Sequence, residues 1–227
     1  MTPPPSVPAC PAPPPGEASK ARARLAVMIS GGGRTMLNLL AASRSGTLPA
    51  DVVLVIASGE CPGAQRAREQ RLPTVIEPGV VSADRLADLW ARHGVTLVAL
   101  AGYLKLVRVP PGWDGRILNI HPALLPLFGG KGLYGRHVHT AVLAAGMKVS
   151  GCTVHFVDAQ YDRGPIVLQR VCPVIDDPPD TPETLAARVF EQECIAYPEA
   201  LRMVILGRVR IEAGRARVLP PGQAPGR

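Results

Sequence analysis

Aromatic side chains are scarce: three Phe, two Trp and four Tyr make up 4 % of 227 residues. None is interleaved with the basic tails, whereas single-stranded nucleic acid is held on aromatic stacking platforms. Long apolar runs are missing as well, and none approaches the roughly 18–20 residues of a membrane-spanning helix. The first residues carry no apolar core of the secretory type. Cysteine is thin and unpatterned. Cys10, Cys61, Cys152, Cys172 and Cys194 are an odd number, scattered, with no C-x-x-C, which predicts free thiols in a reducing cytoplasm rather than a disulfide framework. His137-x-His139 and Cys152-x-x-His155 have no second pair at zinc spacing, so no metal site is expected.

Acidic residues fall seven short of the basic ones, and the surplus lies at the ends. Residues 1–24 carry Lys20, Arg22 and Arg24 against Glu17, and residues 208–227 carry five arginines against Glu212, which leaves +1 of the net +7 to residues 25–207. A nucleic-acid-binding body is therefore not expected. Met1 to Gly16 holds eight prolines and reads as disordered. The chain divides into a proline-rich tail over 1–24, a folded domain over 25–210 and a hairpin or tail over 211–227.

Within that domain, short unalternating apolar runs are separated by helical patterns. The runs are 25–29, 52–57, 74–76, 96–101 and 117–120; the helices fall at 36–42, 63–70, 82–93, 137–145 and 181–205, the last disturbed at Pro198. Continuous apolar strands alternating with helices predict a Rossmann-like, doubly wound, mostly parallel sheet with helices on both faces. Residues 150–157 and 165–174 read as an antiparallel C-terminal strand pair, with 209–211 and 216–219 as a small hairpin. Ligands of such sheets lie at the carboxyl ends of strands, where residues 31–35, 102–107 and 119–121 can share one crevice.

The stretch Ile117-Leu-Asn-Ile-His-Pro-Ala-Leu-Leu-Pro126 carries the chemistry. Asn119 and His121, two apart in an extended chain, point to one face, and Pro122 and Pro126 stiffen the loop that follows. An amide donor beside an imidazole can bind an oxygen that becomes negative in a transition state. A capping asparagine and a satisfied histidine in a proline-rich turn fit the same ten residues. Asp162, in the turn 158–164, is placed to reach back to this loop and raise the pKa of His121, although turn aspartates more often bond their own backbone. Ser30-Gly-Gly-Gly-Arg-Thr35, between strand and helix, suits an anion, or merely turns the chain. It matches neither the P-loop nor the dinucleotide pattern.

Taken together, Ile29-Ser-Gly-Gly-Gly-Arg, Ala101-Gly-Tyr-Leu-Lys-Leu, Asn119-Ile-His-Pro-Ala-Leu-Leu-Pro and Asp162-Arg-Gly-Pro-Ile-Val-Leu-Gln169, with His155-Phe-Val between the last two, resemble the folate-dependent formyltransferases over about residues 25–210. The likeness is greatest to the branch that formylates glycinamide ribonucleotide in purine synthesis. It implies 10-formyltetrahydrofolate as donor, glycinamide ribonucleotide as acceptor, no metal, no nucleic-acid or membrane partner, and a monomer or homodimer. It further implies Asn119, His121 and Asp162 as catalytic residues. Gly33, Arg34, Thr35 and Glu193 would contact the acceptor. Leu104, Lys105, Leu106, Val107, Asp158, Ala159, Gln160 and Tyr161, with Asn119 and Asp162, would line the folate pocket. Arg34-Thr35 replaces the family's usual Ser-Asn, Lys105 replaces an arginine, and Arg85 is a candidate for a further folate contact. Other readings are a formyltransferase for an amino-sugar nucleotide, a formyltetrahydrofolate hydrolase, and a non-catalytic nucleotide-binding protein on the same fold. The hydrolase, and a methionyl-tRNA formyltransferase, would be expected to carry an additional domain.

Overall fold

The apolar runs become five parallel strands: β1 (Ala23–Ile29), β2 (Ala50–Ala57), β3 (Thr74–Ile76), β4 (Leu97–Leu100) and β5 (Ile117–His121). The structure, a computed structural model, describes residues 22–220, so the proline-rich stretch Met1 to Gly16 lies outside the described residues. Two antiparallel strands, β6 (Val149–Phe156) and β7 (Ile166–Pro173), complete a seven-stranded sheet of order β3-β2-β1-β4-β5-β6-β7. The predicted mostly parallel sheet with an antiparallel C-terminal pair is what forms.

Alternation along each strand divides the interior into two cores. Leu25, Val27 and Ile29 face one side, packed with α1 (Arg34–Arg44), α2 (Pro62–Glu69), α4 (Arg136–Ala144) and α5 (Pro182–Ile205). Ala26 and Met28 face the other, where α3 (Ala83–Arg92) lays Leu86, Leu89 and Trp90 on the sheet. No helix of the described residues is long and apolar enough to cross a membrane.

Helix α5 runs unbroken through Pro198, contrary to the predicted disturbance. A proline has no N–H, so the carbonyl of Cys194, four residues earlier, loses its partner. Asn38 Nδ2 on α1 donates to that carbonyl at 3.0 Å. One residue before the proline, Tyr197 Oη donates between the carbonyls of Leu100 (3.0 Å) and Leu118 (2.9 Å). The long helix is thus pinned to the ends of β4 and β5, where the cleft opens.

Two predicted boundaries shift. Ala23 and Arg24, assigned to the tail, belong to β1, and Arg22 is bonded to Asp51 and to the carbonyls of Ser43 and Ala50. The division between residues 210 and 211 falls inside β8 (Val209–Glu212), which pairs with β9 (Arg215–Val218). That hairpin packs Val209 and Ala216 on the larger core, so it is part of the domain.

Candidate active site

Strand order reverses between β1 and β4, and the crevice that such a switch point leaves is here a cleft of about 870 Å³. Three strand-end loops meet in it. Ser30, at the end of β1, ties two of them: its hydroxyl accepts from Leu104 N (3.0 Å) and Ser58 Oγ (2.7 Å), while its N–H donates to the carbonyl of Gly102 at 3.1 Å. In the glycine loop, Gly33 caps α1 in the left-handed region, at φ 74°. Gly63 at the start of α2 fits tightly beneath, since a Cβ there would lie 2.6 Å from the carbonyl oxygen of Gly31. No side chain caps α1 and no acid stands in its first turn, so its N-terminal N–H groups remain available to an anion.

The third loop follows β5. Thr153 Oγ1 accepts from Leu125 N (3.0 Å) and donates to the Ala123 carbonyl (2.6 Å), and Gln169 Nε2 donates to the Leu125 carbonyl at 2.9 Å. These bonds hold the chain just beyond His121. Asp162, at φ 56°, turns its carboxylate inward from the β6–β7 loop. Its Oδ2 lies 3.5 Å from His121 Nδ1 and accepts from Gly130 N at 2.9 Å, and its Oδ1 lies 3.4 Å from Asn119 Nδ2. His155, opposite Asn119 in the β5–β6 register, closes the group. Its Nδ1 donates to the Phe156 carbonyl (2.8 Å), and its Nε2 lies between Asn119 Nδ2 (3.2 Å), from which it accepts when the ring is neutral, and Asp162 Oδ1 (3.5 Å), to which it donates when the ring is protonated.

Protonation follows from this geometry. His121 Nε2 is 2.8 Å from the carbonyl of Phe128, which can only accept, so Nε2 carries hydrogen. Nδ1 is then the nitrogen that takes up and returns a proton. The ring is 4 % exposed, and burial pushes its pKa below the ordinary histidine value, against the pull of Asp162 and the Phe128 carbonyl. Asp162 raises it as expected, but desolvation of the imidazolium exceeds one carboxylate at 3.5 Å, so the net direction is down. Burial also works to raise Asp162, but His155, His121 and the Gly130 N–H together hold it below the usual carboxylate range.

At the other end of the cleft, the Arg34 guanidinium stacks over the Phe190 ring, 4.2 Å from its centre, near Glu193 of α5. Glu193 is 9 % exposed, and burial pushes its carboxyl up to about 7, with Arg34 opposing. A carboxyl raised on folding favours the folded state at low pH and loses that contribution as pH rises towards 7. Glu193→Gln is expected to match wild type in melting temperature at pH 4 and to exceed it at pH 8. Equal melting temperatures at both pH values would contradict the buried, ionisable carboxyl.

The family described as formyl transferase matches residues 23–201. The chain belongs to the formyl transferase family. Among similar proteins, the chloroplastic phosphoribosylglycinamide formyltransferase of Vigna unguiculata is 45 % identical over 197 residues, 83 % of this chain and 62 % of that protein. This chain therefore spans less than two thirds of the Vigna protein's length. The Haemophilus influenzae phosphoribosylglycinamide formyltransferase is 34 % identical, covering 83 % of this chain and 90 % of its own. In three dimensions, glycinamide ribonucleotide transformylase 1 of Symbiobacterium toebii superposes with a TM-score of 0.79 at 39 % identity, covering 89 % of this chain and 96 % of that one.

In this formyl transferase the cleft brings together Asn119, His121, Asp162, Gly33, Arg34, Thr35, Glu193, Leu104, Lys105, Leu106, Val107, Asp158, Gln160 and Tyr161. Two expected residues are not there. Ala159 is exposed and does not line the cleft, while Asp158 folds back to accept from Gln160 N at 2.8 Å. Arg85 is spent on Glu77 (2.6 Å) and Asp88 (3.3 Å), and does not reach the formyl transferase cleft. Sequence reasoning gave no role to His155, Phe190 or the backbone of Phe128 and Gly130. Only strand register reveals the first, and helix packing or loop path the others.

Proposed function

We propose that this formyl transferase moves the formyl group of 10-formyltetrahydrofolate to the primary amine of 5'-phosphoribosylglycinamide, a step of purine synthesis. The observation that carries the reading is the meeting of Asn119, His121 and Asp162 at one point of the cleft, between a glycine-loop end and an apolar end. The two relatives named above, phosphoribosylglycinamide formyltransferases of Vigna and Haemophilus, support the choice of acceptor.

The reaction needs each part. When the amine nitrogen attacks the formyl carbon, the carbonyl π electrons move to oxygen. The new oxyanion requires donors already in place. Asn119 Nδ2 has one hydrogen held by His155 and the other only loosely by Asp162 at 3.4 Å, which leaves it free to turn to that oxygen. Nδ1 of His121, open in the neutral ring that burial favours, faces the same point and becomes a donor once it has taken a proton. The attacking nitrogen becomes an ammonium and sheds a proton to the Asp162–His121 pair. As the oxyanion electrons re-form the carbonyl and the bond from the formyl carbon to the folate nitrogen breaks, the same pair returns the proton to that departing nitrogen, serving as base and then as acid. Gly33, Arg34 and Thr35 with the α1 N-terminus would take the acceptor's phosphate, and Glu193 its polar groups. Leu104, 46 % exposed at the rim, with Lys105, Leu106, Val107 and the 158–161 turn, would cover the flat folate rings.

The test is formyl transfer by the purified protein, offered 10-formyltetrahydrofolate with 5'-phosphoribosylglycinamide, with an amino-sugar nucleotide, or with water alone. The expected product is formylated phosphoribosylglycinamide. Formate release at the same rate without amine would overturn the reading in favour of the hydrolase. The described thiols Cys61, Cys152, Cys172 and Cys194 are free, which suits a reducing compartment, and we place the enzyme in the cytoplasm.

A further inference from the structure

An arginine opens α1, at the end of the helix where a cation opposes the dipole, and no acid stands in the first turn. Among the described residues its guanidinium makes no hydrogen bond and no ion pair. It is laid instead over the Phe190 ring, 4.2 Å from the centre. Helix packing sets that position. Asn38, one turn further along the same face of α1, donates to the Cys194 carbonyl at 3.0 Å, and Phe190 and Cys194 are one turn apart on α5. Glu193, three residues after Phe190, shares that face of α5 and lines the same end of the cleft.

Glu193 is a carboxyl without donors. It is buried, lines the cleft, and accepts no hydrogen bond from the described residues. A carboxylate so placed keeps its charge only beside a cation. The groups packed around it leave one candidate. Cys152 of β6, with Cys194 and Tyr197 of its own helix, are neutral near pH 7, because burial pushes all three up. His139 of α4 is held below the ordinary histidine value by burial and is neutral as well. Arg170 of β7 is turned to Gln192 (3.1 Å) and Glu199 (3.8 Å). Arg34 of α1 is the cation whose charge offsets part of the burial that holds the Glu193 carboxyl up at about 7.

We infer that the Arg34 side chain is a positioning residue: stacked on Phe190, its guanidinium is the counter-ion that keeps the Glu193 carboxylate available to the acceptor's amine, and the phosphate is left to the main-chain N–H groups of the glycine loop. The inference rests on the acceptor reading above and divides Arg34 between two tasks, its backbone N–H for the phosphate and its side chain for Glu193. An ionised Glu193 accepts a hydrogen bond from the amine nitrogen; a protonated one has lost that capacity. Arg34 takes no part in the bond-making steps, so its effect falls on acceptor binding and depends on pH.

The experiment has one arm without substrate and one with it. Melting temperatures of wild type, Arg34→Gln, Glu193→Gln and the double variant are compared at pH 4 and pH 8. Arg34 is exposed, so glutamine in its place leaves the core intact. Removing the guanidinium raises the Glu193 pKa further, and the buried carboxyl then costs more stability as pH rises. The gain from Glu193→Gln between pH 4 and pH 8 is therefore expected to be about 1–4 °C larger in the Arg34→Gln background than in wild type. Equal gains in the two backgrounds overturn the inference. In the second arm, Arg34→Gln is expected to raise the KM for 5'-phosphoribosylglycinamide about three- to tenfold at pH 7 and less than about twofold at pH 8.5, where Glu193 ionises without help. The KM for 10-formyltetrahydrofolate should stay within about twofold at both. A phosphate monoester is a dianion across this range, so a guanidinium that gripped the phosphate would give the same KM ratio at both pH values. A constant ratio, or no change at pH 7, overturns the inference. A wild-type chain that formylates no amine, with the melting difference present, refutes instead the acceptor reading and leaves the Arg34–Glu193 pairing in place.

Discussion

His121→Ala is expected to lower kcat by on the order of 10²- to 10⁴-fold, the range for removing a positioned acid–base group. One nitrogen of the ring is fixed by a backbone carbonyl and the other is free to exchange a proton. In the proposed reaction, alanine would leave Asn119 as a lone donor to the oxyanion and give the departing folate nitrogen no proton. Binding should change little, because the glycine loop, Arg34 and the Leu104–Val107 segment are untouched. Loss of the 2.8 Å bond to Phe128 and of packing should cost about 1–3 kcal/mol of stability. Steady-state rates with a melting curve decide the matter: a folded variant within tenfold of wild-type kcat would remove His121 from the chemistry.

Asp162→Asn is expected to lower kcat by about 10²-fold and to move the pH–rate profile. Asparagine is among the few residues that accept a left-handed backbone, so φ 56° should survive and the loop should keep its path. Its single carbonyl oxygen can still accept from Gly130 N. Its amide nitrogen then faces Asn119 and competes for His155 Nε2, which loosens the amide proposed to hold the formyl oxygen. The charge effect has a definite sign. Burial lowers the pKa of His121 and Asp162 raises it, so removing the carboxylate lowers it further. The limb of the profile governed by His121 must move to lower pH. A profile superposable on wild type would show that the 3.5 Å approach carries no proton traffic.

Much of the architecture was legible because it follows from short-range patterns. Continuous apolar runs of strand length, separated by helical spacing, have few solutions other than a covered parallel sheet, and the predicted sheet formed. Helix and strand ends moved by a residue or two, and Thr74–Ile76 not at all. Pro198 was the local signal that misled. Its cost was met by Asn38, 156 residues distant in sequence, and no local pattern contains that partner.

The site divided along the same line. Residue types drew attention to Asn119, His121 and Asp162, the resemblance carried by the order of the motifs gave them their expected roles, and the folded chain brings the three together. Folding alone decided which groups surround them. The pairing of β5 with β6 set His155 against Asn119, and the path of the 127–130 loop brought the Phe128 carbonyl and the Gly130 N–H to His121 and Asp162. It also decided the direction of the His121 pKa, since desolvation depends on what the folded chain packs around the ring and not on its sequence neighbours. Chemistry is written in residue identity, which the linear chain displays; electrostatics is written in distance and burial, which exist only once the chain has folded.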